Sequence, residues 1–194
     1  MTETRDLLRL GLPSLWRDRR GVAAVELALL SPVLVMLFLG TVEVTQLIRV
    51  KTKLALAAQA IQNMVAGQTT ATTSSLATAY AGGQLVMTPF AGSGLTASIA
   101  SVSFTSSGSA TTVTWQALEG GATTMTVSAA CTLAAGMSLG SDTVIVVRAT
   151  YAYTPVLSYL LGKSYALTQV TYGRPRNTTT VSGPAASTGV TGSC

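Results

Sequence analysis

The chain has 194 residues, of which 48% are hydrophobic and only 10% are charged, whereas an average soluble domain carries about 25% charged residues. This length allows one domain of ordinary size beside a terminal segment and excludes two large domains. The net charge is +5, but five of the twelve Lys and Arg residues lie in the first 20 positions, so the charge marks one end of the chain and does not indicate a nucleic-acid partner.

Several catalytic and metal-binding devices are excluded by composition. The chain contains no histidine, which removes the commonest general base, the commonest metal ligand and every Ser-His or Cys-His pair. Past Glu43, Glu119 and Asp142 are its only carboxylate side chains, and their distance in sequence argues against a glycosidase-type acid pair. We therefore predict a protein that is not an enzyme and that has no cofactor and no metal site.

An apolar segment runs from Val22 to Val42, with Glu26 as its only ionisable residue. As a helix it would be about 30 Å long, the thickness of the hydrocarbon core of a bilayer. We predict a transmembrane helix over 22–42 rather than a buried core helix or a cleaved secretory signal, because the segment is apolar all round and runs on into charged residues. More cations precede the segment than follow it closely, which predicts a cytoplasmic N-terminus.

Glu26 is the unusual residue of this segment, because an ionisable side chain at the centre of a membrane costs on the order of 2.5 to 3.5 kcal/mol. If the chain were cut after Gly21, the new α-amine would be on Val22, and Glu26 would lie one helical turn away as the fifth residue. Its carboxylate would then neutralise a terminal ammonium, either its own or that of a neighbouring subunit. The alternative is that Glu26 lies at the headgroup level and is simply solvated.

The run from Arg19 to Leu34 (RRGVAAVELALLSPVL) resembles the type IV prepilin signal, in which a membrane aspartyl peptidase cuts after glycine. Within that group, residues 19 to about 45 resemble most closely the TadE/TadG-like minor pseudopilins of the tight-adherence (Flp) pilus system. A basic pair, a glycine, a glutamate and Pro32 occur in the same register, although Leu27 stands where the family usually has an aromatic residue. The segment from Val144 to Pro155 also resembles the C-terminal part of these proteins. The longer TadG type carries a von Willebrand-like domain, which this chain lacks.

The resemblance implies a structural subunit that takes part in assembling a tight-adherence pilus or a related secretion fibre. Residues 1–21 would be a cytoplasmic prepilin-type leader, removed by cleavage between Gly21 and Val22. The subunit would be a single-pass protein of the bacterial inner membrane, with its C-terminal domain periplasmic or extracellular. Its partners would be the lipid bilayer, prepilin peptidase, other pilins or pseudopilins and the pilus assembly machinery. The alternative is a permanently anchored periplasmic module for binding or adhesion, without processing.

Residues 43–67 continue with an amphipathic pattern, in which apolar residues recur every three or four positions. This period predicts that the membrane helix extends beyond the bilayer. The whole helix would run from Val22 to Ala66, with Pro32 bending it and Gly67 capping it.

Residues 68–194 are predicted to form a small head domain, so the fold class is α+β: a long N-terminal transmembrane and amphipathic helix followed by a small antiparallel β-sheet. Ser74 or Ser75 would cap a short helix running from Leu76 toward Gly82. Five segments rich in Thr, Ser, Val and Ala, separated by glycine turns, are typical of strands packed on a helix. They are Leu95–Phe104, Thr111–Leu118, Met125–Cys131, Val144–Tyr153 and Tyr165–Tyr172.

Cys131 and Cys194 are the only cysteines. With the N-terminus inside the cell, both would lie in an oxidising space that permits a disulfide. Such a bridge would stabilise the fold by roughly 4 kcal/mol in the chain-entropy account, and it would tie a flexible Gly/Ser/Thr tail to the head domain. Two free thiols or an intermolecular bridge are the alternatives.

Overall fold

The computed structural model describes residues 21–138, 140–155, 164–185 and 187–194. Residues 1–20 of the predicted leader, 1–21, lie outside the described residues. The chain divides after Val44 into two compact units, and we call the second one, Thr45–Cys194, the head unit. Helix α1 spans Val22–Ala66, 45 residues, which confirms the helix predicted from the sequence.

From Val22 to Val42, no residue of α1 is buried. This helix is long and apolar enough to cross a membrane, and no side chain in its most apolar stretch is buried. Two hydroxyls in the segment bond to the helix's own backbone: Ser31 Oγ donates to Ala28 O (3.1 Å) and Thr41 Oγ1 donates to Leu37 O (2.9 Å). These bonds lower the cost of placing the two hydroxyls in lipid, where no water can satisfy them.

The head unit contains the second half of α1 and the other elements of the described residues. They are α2 (Thr73–Val86), a 3₁₀ turn (Gly92–Gly94), β1 (Leu95–Phe104), β2 (Ala110–Glu119), α3 (Val127–Ala134), β3 (Thr143–Tyr153), β4 (Tyr165–Gly173) and β5 (Gly192–Ser193). The strands form one sheet in the order β4-β3-β1-β2-β5, and every neighbouring pair is antiparallel. The predicted α+β class with an antiparallel sheet is therefore confirmed.

The sheet is covered on both faces. The α1 residues that carry the amphipathic pattern pack with α2 on one face, where alternate residues of β1 and β3 meet them. Helix α3 packs on the other face against the intervening residues of the same strands. This arrangement explains why β1 is buried at eight of its ten positions, since a central strand between two helical layers has no solvent face.

Helix α2 is longer than predicted. It begins after Thr72, whose hydroxyl accepts a hydrogen bond from Ser75 N while Ser75 Oγ accepts one from Thr72 N. The predicted caps, Ser74 and Ser75, therefore lie inside the first turn. The helix also continues past Gly82, its predicted end, to Val86. Gly83 lies against Ile61 of α1, where a Cβ would be 2.6 Å from Ile61 Cδ1, so the glycine serves close packing of the two helices.

The predicted strand Met125–Cys131 is wrong, because most of this segment is the helix α3. The backbone of Met125 forms its hydrogen bonds with the side chain of Gln116 and not with the backbone of a neighbouring strand. Met125 N donates to Gln116 Oε1 (3.0 Å), and Gln116 Nε2 donates to Met125 O (3.1 Å). Thr126 then caps the helix by accepting a hydrogen bond from Ala129 N (3.2 Å). The buried residues of this segment are Ala130, Cys131 and Ala134. Their spacing fits the 3.6-residue period of a helix and not the two-residue period of a strand.

The segment after β4 holds the end of α1. Arg176 N donates to Ala66 O (2.9 Å), and Asn177 Nδ2 donates to Gly67 O (2.6 Å). The guanidinium of Arg176 also donates to Asn63 Oδ1 (2.6 Å). These donors satisfy carbonyl groups that have no partner within the helix, so the end of α1 is fixed to the sheet by residues more than 100 positions away.

The last residues of the chain cover the outer edge of β2. We call residues 187–194 the C-terminal strap; within it, β5 pairs with Thr112 and Val113 of β2. Thr188 contributes a backbone bond to Gln116 O (3.0 Å), and its hydroxyl accepts from Leu118 N (2.9 Å). An edge strand left open is a site of unwanted pairing, and the strap occupies this one.

Candidate functional site

The predicted processing site lies at the beginning of α1. Gly21 immediately precedes the helix, Val22 is its first residue, and both are exposed. The space that a Cβ of Gly21 would fill has no atom within 4 Å. The structure therefore leaves the Gly21–Val22 peptide bond uncovered among the described residues.

Glu26 lies one turn further along the same helix and is also exposed. It is four positions after Val22, which corresponds to about 6 Å of helical rise. Within the part of the chain that the structure describes, no residue forms a hydrogen bond or an ion pair with this carboxylate. The helix thus places a carboxylate within reach of an amine at Val22, but the structure itself does not form that pair.

Glu26 is surrounded by apolar side chains that project from α1. Nine of these between positions 27 and 38 are 54% to 73% exposed; they are Leu27, Leu29, Leu30, Val33, Leu34, Val35, Met36, Leu37 and Phe38. A continuous apolar surface of this kind is covered by lipid or by protein in the native environment. A carboxylate on such a surface costs free energy unless a positive group accompanies it.

In the head unit, the carboxylates lie at separate places. Asp142 bonds to Ser138 Oγ and forms an ion pair with Arg174 (Nε to Oδ2, 3.6 Å). Glu119 ends β2, and burial raises the pKa of its carboxyl group. Among the described residues, no three His, Cys, Asp or Glu side chains lie close enough together to hold a metal ion.

Cys131 and Cys194 form a disulfide, which was one of the pairings that the sequence left open. The bond joins α3 to the end of the C-terminal strap, and Cys194 N also donates to Thr111 O (2.8 Å). The disulfide therefore holds the strap on β2 at its last residue.

Sequence reasoning missed a cleft of about 490 Å³ between the sheet and residues 180–185. Trp115 lies in its wall, and its Nε1 donates to Val181 O (2.8 Å). The other polar side chains of the wall are hydroxyls: Ser103, Thr114, Thr143, Thr180, Ser182, Ser187 and Thr191. Because these residues come from four distant segments, no local motif in the sequence could have indicated the cleft.

Residues 21–61 match the family model of TadE-like protein. The match begins at Gly21, includes Glu26 and ends inside the part of α1 that packs on the sheet. It is consistent with a TadE-like protein of the tight-adherence pilus system, a family of structural pilus components and not of enzymes. No curated protein and no solved structure shows a significant match to this chain.

Proposed function

We propose that this TadE-like chain is a minor pseudopilin-like membrane subunit that is cleaved after Gly21 and takes part in assembling a tight-adherence pilus or a related secretion fibre. The observation that carries the proposal is the position of the family match. It falls on the segment in which an exposed apolar helix, a glycine at the helix start and the carboxylate of Glu26 occur together.

Cleavage would create the positive group that Glu26 lacks. The amine on Val22 would lie one turn from the Glu26 carboxylate in the same helix, and a parallel neighbouring helix would present its own amine at a similar depth. In a medium of low dielectric constant, such an ion pair is far stronger than in water. Pairing between subunits would fix the relative height of adjacent helices, which is the property that an ordered fibre requires.

The basic residues before the helix favour an inner-membrane protein with a cytoplasmic N-terminus and a periplasmic head unit. The disulfide agrees with that placement, because disulfides persist in oxidising compartments. The partners on this proposal are the bilayer, prepilin peptidase and the other pilins and assembly proteins of the system.

The variant Glu26→Gln tests the proposal, since it keeps the shape of the side chain and removes the charge. We expect Glu26→Gln protein to insert into the membrane normally and to be depleted from purified fibres at least tenfold. Glu26→Asp keeps the charge and should restore much of the incorporation, while Ser31→Ala in the same segment should have no effect. Normal incorporation of Glu26→Gln would contradict the pairing.

A permanently anchored periplasmic binding module is the second candidate. The cleft beside Trp115 favours it, because a neutral wall rich in hydroxyls suits an uncharged polar ligand. The two candidates differ at the N-terminus of the mature protein, since only the first requires removal of the leader.

A further inference from the structure

Strand β4 forms the edge of the sheet that lies opposite the C-terminal strap. It is nine residues long, Tyr165–Gly173, and it stands at one end of the strand order. Its pairing with β3 runs through nine consecutive residue pairs without a bulge. In an antiparallel pair, alternate residues direct both backbone groups away from the partner strand. About half of the N–H and C=O groups of β4 therefore point away from the sheet.

No other segment covers these groups in the part of the chain that the structure describes. Apart from the side chain of Gln169, which donates to Val170 O (3.5 Å), no described residue outside β3 forms a hydrogen bond with the backbone of β4. Two tyrosines near the ends of the strand are also accessible, since Tyr165 is 49% exposed and Tyr172 is 37% exposed. The outer side of β4 is therefore open to a further strand.

β4 also lacks the features by which edge strands avoid pairing. Such strands are short, bulged or covered, or they carry charges or proline, but residues 165–173 include no charged residue and no proline. The next residue, Arg174, forms an ion pair with Asp142 and donates to Met137 O (2.9 Å). At the opposite edge, the disulfide holds the strap on β2. The chain thus covers one edge of its sheet and leaves the other able to pair.

We propose that β4 binds an extended, uncharged segment of a different protein, which adds a strand to the sheet. Main-chain hydrogen bonds supply the affinity in this mode of recognition. Tyr165, Thr168 and Tyr172 favour aromatic and β-branched side chains in the added strand, because such residues pair well across neighbouring strands. A charged segment would lose hydration without gaining a counterion, since β4 carries no charge.

A second copy of this chain is a poorer occupant. Its β2 edge is closed by its own strap, so it could offer only its own β4. Two β4 strands paired antiparallel are related by a two-fold axis perpendicular to the sheet. The head-unit part of α1 packs on a face of the sheet, so it would run in opposite directions in the two copies. Neighbouring helices of the proposed fibre are parallel, and this step of the inference rests on the proposed function.

Binding of a peptide to the full chain, purified in a neutral detergent, tests the proposal. The probe is a fluorescent, end-capped peptide of sequence YALTQVTYG, which is uncharged and rich in aromatic and β-branched residues. We expect saturable binding by fluorescence anisotropy and slower hydrogen exchange of the β4 amides in the complex. The same peptide N-methylated at every residue has no N–H group to donate, so it should not bind. Equal binding of the two peptides would overturn strand addition.

Ala166→Lys places a charge on the edge strand and should weaken binding of the peptide about tenfold or more. Ala152→Lys is the matched control, because Ala152 lies directly opposite Ala166 on β3 and both residues are exposed, but β3 is not an edge strand. Its affinity for the peptide should stay within about twofold of that of the unmodified chain. An equal loss for Ala152→Lys would overturn β4 as the site.

Hydrogen exchange in the complex isolated from native membranes tests the nature of the occupant. The β4 amides should exchange more slowly in that complex than in the purified chain, and equally fast exchange would overturn the proposed partner. Dimerisation of the purified chain that Ala166→Lys abolishes would identify a second copy as the occupant and would also overturn it. Peptide binding is measured without cleavage or fibres, so its failure is distinct from failure of the proposed function.

Discussion

Removing the Cys131–Cys194 disulfide is expected to destabilise the head unit by about 4 kcal/mol. The cysteines are separated by 63 positions, and closing a loop of that size restricts the unfolded chain by about 14 to 15 cal/mol/K in the entropy relation, which is about 4 kcal/mol at 25 °C. For a unit of about 150 residues each kcal/mol corresponds to about 2 to 4 °C in Tm. The expected fall in Tm is therefore roughly 8 to 16 °C.

The double variant Cys131→Ser/Cys194→Ser measures this effect without leaving an unpaired thiol. Calorimetry of the full chain in detergent should show the lower Tm, and the unmodified chain treated with a dithiol reductant should behave in the same way. Hydrogen exchange should locate the change, because the amides of Gln116 and Leu118 depend on Ser187 and Thr188 of the C-terminal strap. Thr188→Ala should cost only about 1 kcal/mol, the value of one hydrogen bond. If the Tm of the double variant fell by less than about 2 °C, the loop-closure reasoning would be refuted.

Three further predictions concern single positions. Gly183→Ala should destabilise the head unit by about 1 to 3 kcal/mol, because a Cβ there would lie 2.3 Å from Trp115 Cγ. Gly140→Ala is the control, because nothing lies within 4 Å of a Cβ at that position. Equal denaturation midpoints for the two variants would contradict the steric explanation. Burial raises the pKa of the Glu119 carboxyl group above 4.5, so the folded state binds the proton more tightly than the unfolded state. The free energy of unfolding should therefore fall as the pH rises from about 4.5 through that raised pKa. Glu119→Gln should flatten this part of the pH profile of stability, and an unchanged slope would contradict the role given to Glu119. Thr72→Ala should cost about 0.5 to 2 kcal/mol by removing the N-cap of α2, measured as a lower denaturation midpoint, and no shift would show that packing alone fixes this helix.

The long helix and four strands were predictable because their signals are local. The apolar segment and the three-to-four-residue period gave the bounds of α1, and β1 was predicted at the residues where it occurs. The observed β2 is one residue longer than predicted at each end, and β3 and β4 are each one residue longer at one end.

The errors have tertiary causes. Met125, Thr126 and Val127 have the composition of a strand, but Gln116 bonds to the Met125 backbone and Thr126 caps the helix that follows. No local pattern indicates that the side chain of a glutamine nine residues away will form the backbone hydrogen bonds that a neighbouring strand would otherwise form. Gly82 was interpreted as the end of α2, whereas the helix continues to Val86. The next residue, Gly83, lies against Ile61 of α1, which leaves no room for a side chain there.

The candidate site was predictable in part. The positions of Gly21, Val22 and Glu26 at the start of an apolar helix follow from the sequence, and the structure shows all three exposed. The cleft beside Trp115 was not predictable, because residues from four distant segments line it. The order of the strands and the strap on β2 likewise depend on contacts between distant residues.

The mass of the N-terminal peptide of the protein isolated from membranes tests the central claim most directly. Cleavage after Gly21 predicts a mature chain whose first residue is Val22, with Glu26 at its fifth position. The same experiment on cells without prepilin peptidase should return the uncut chain. A leader that remains attached in cells with an active peptidase would contradict the account.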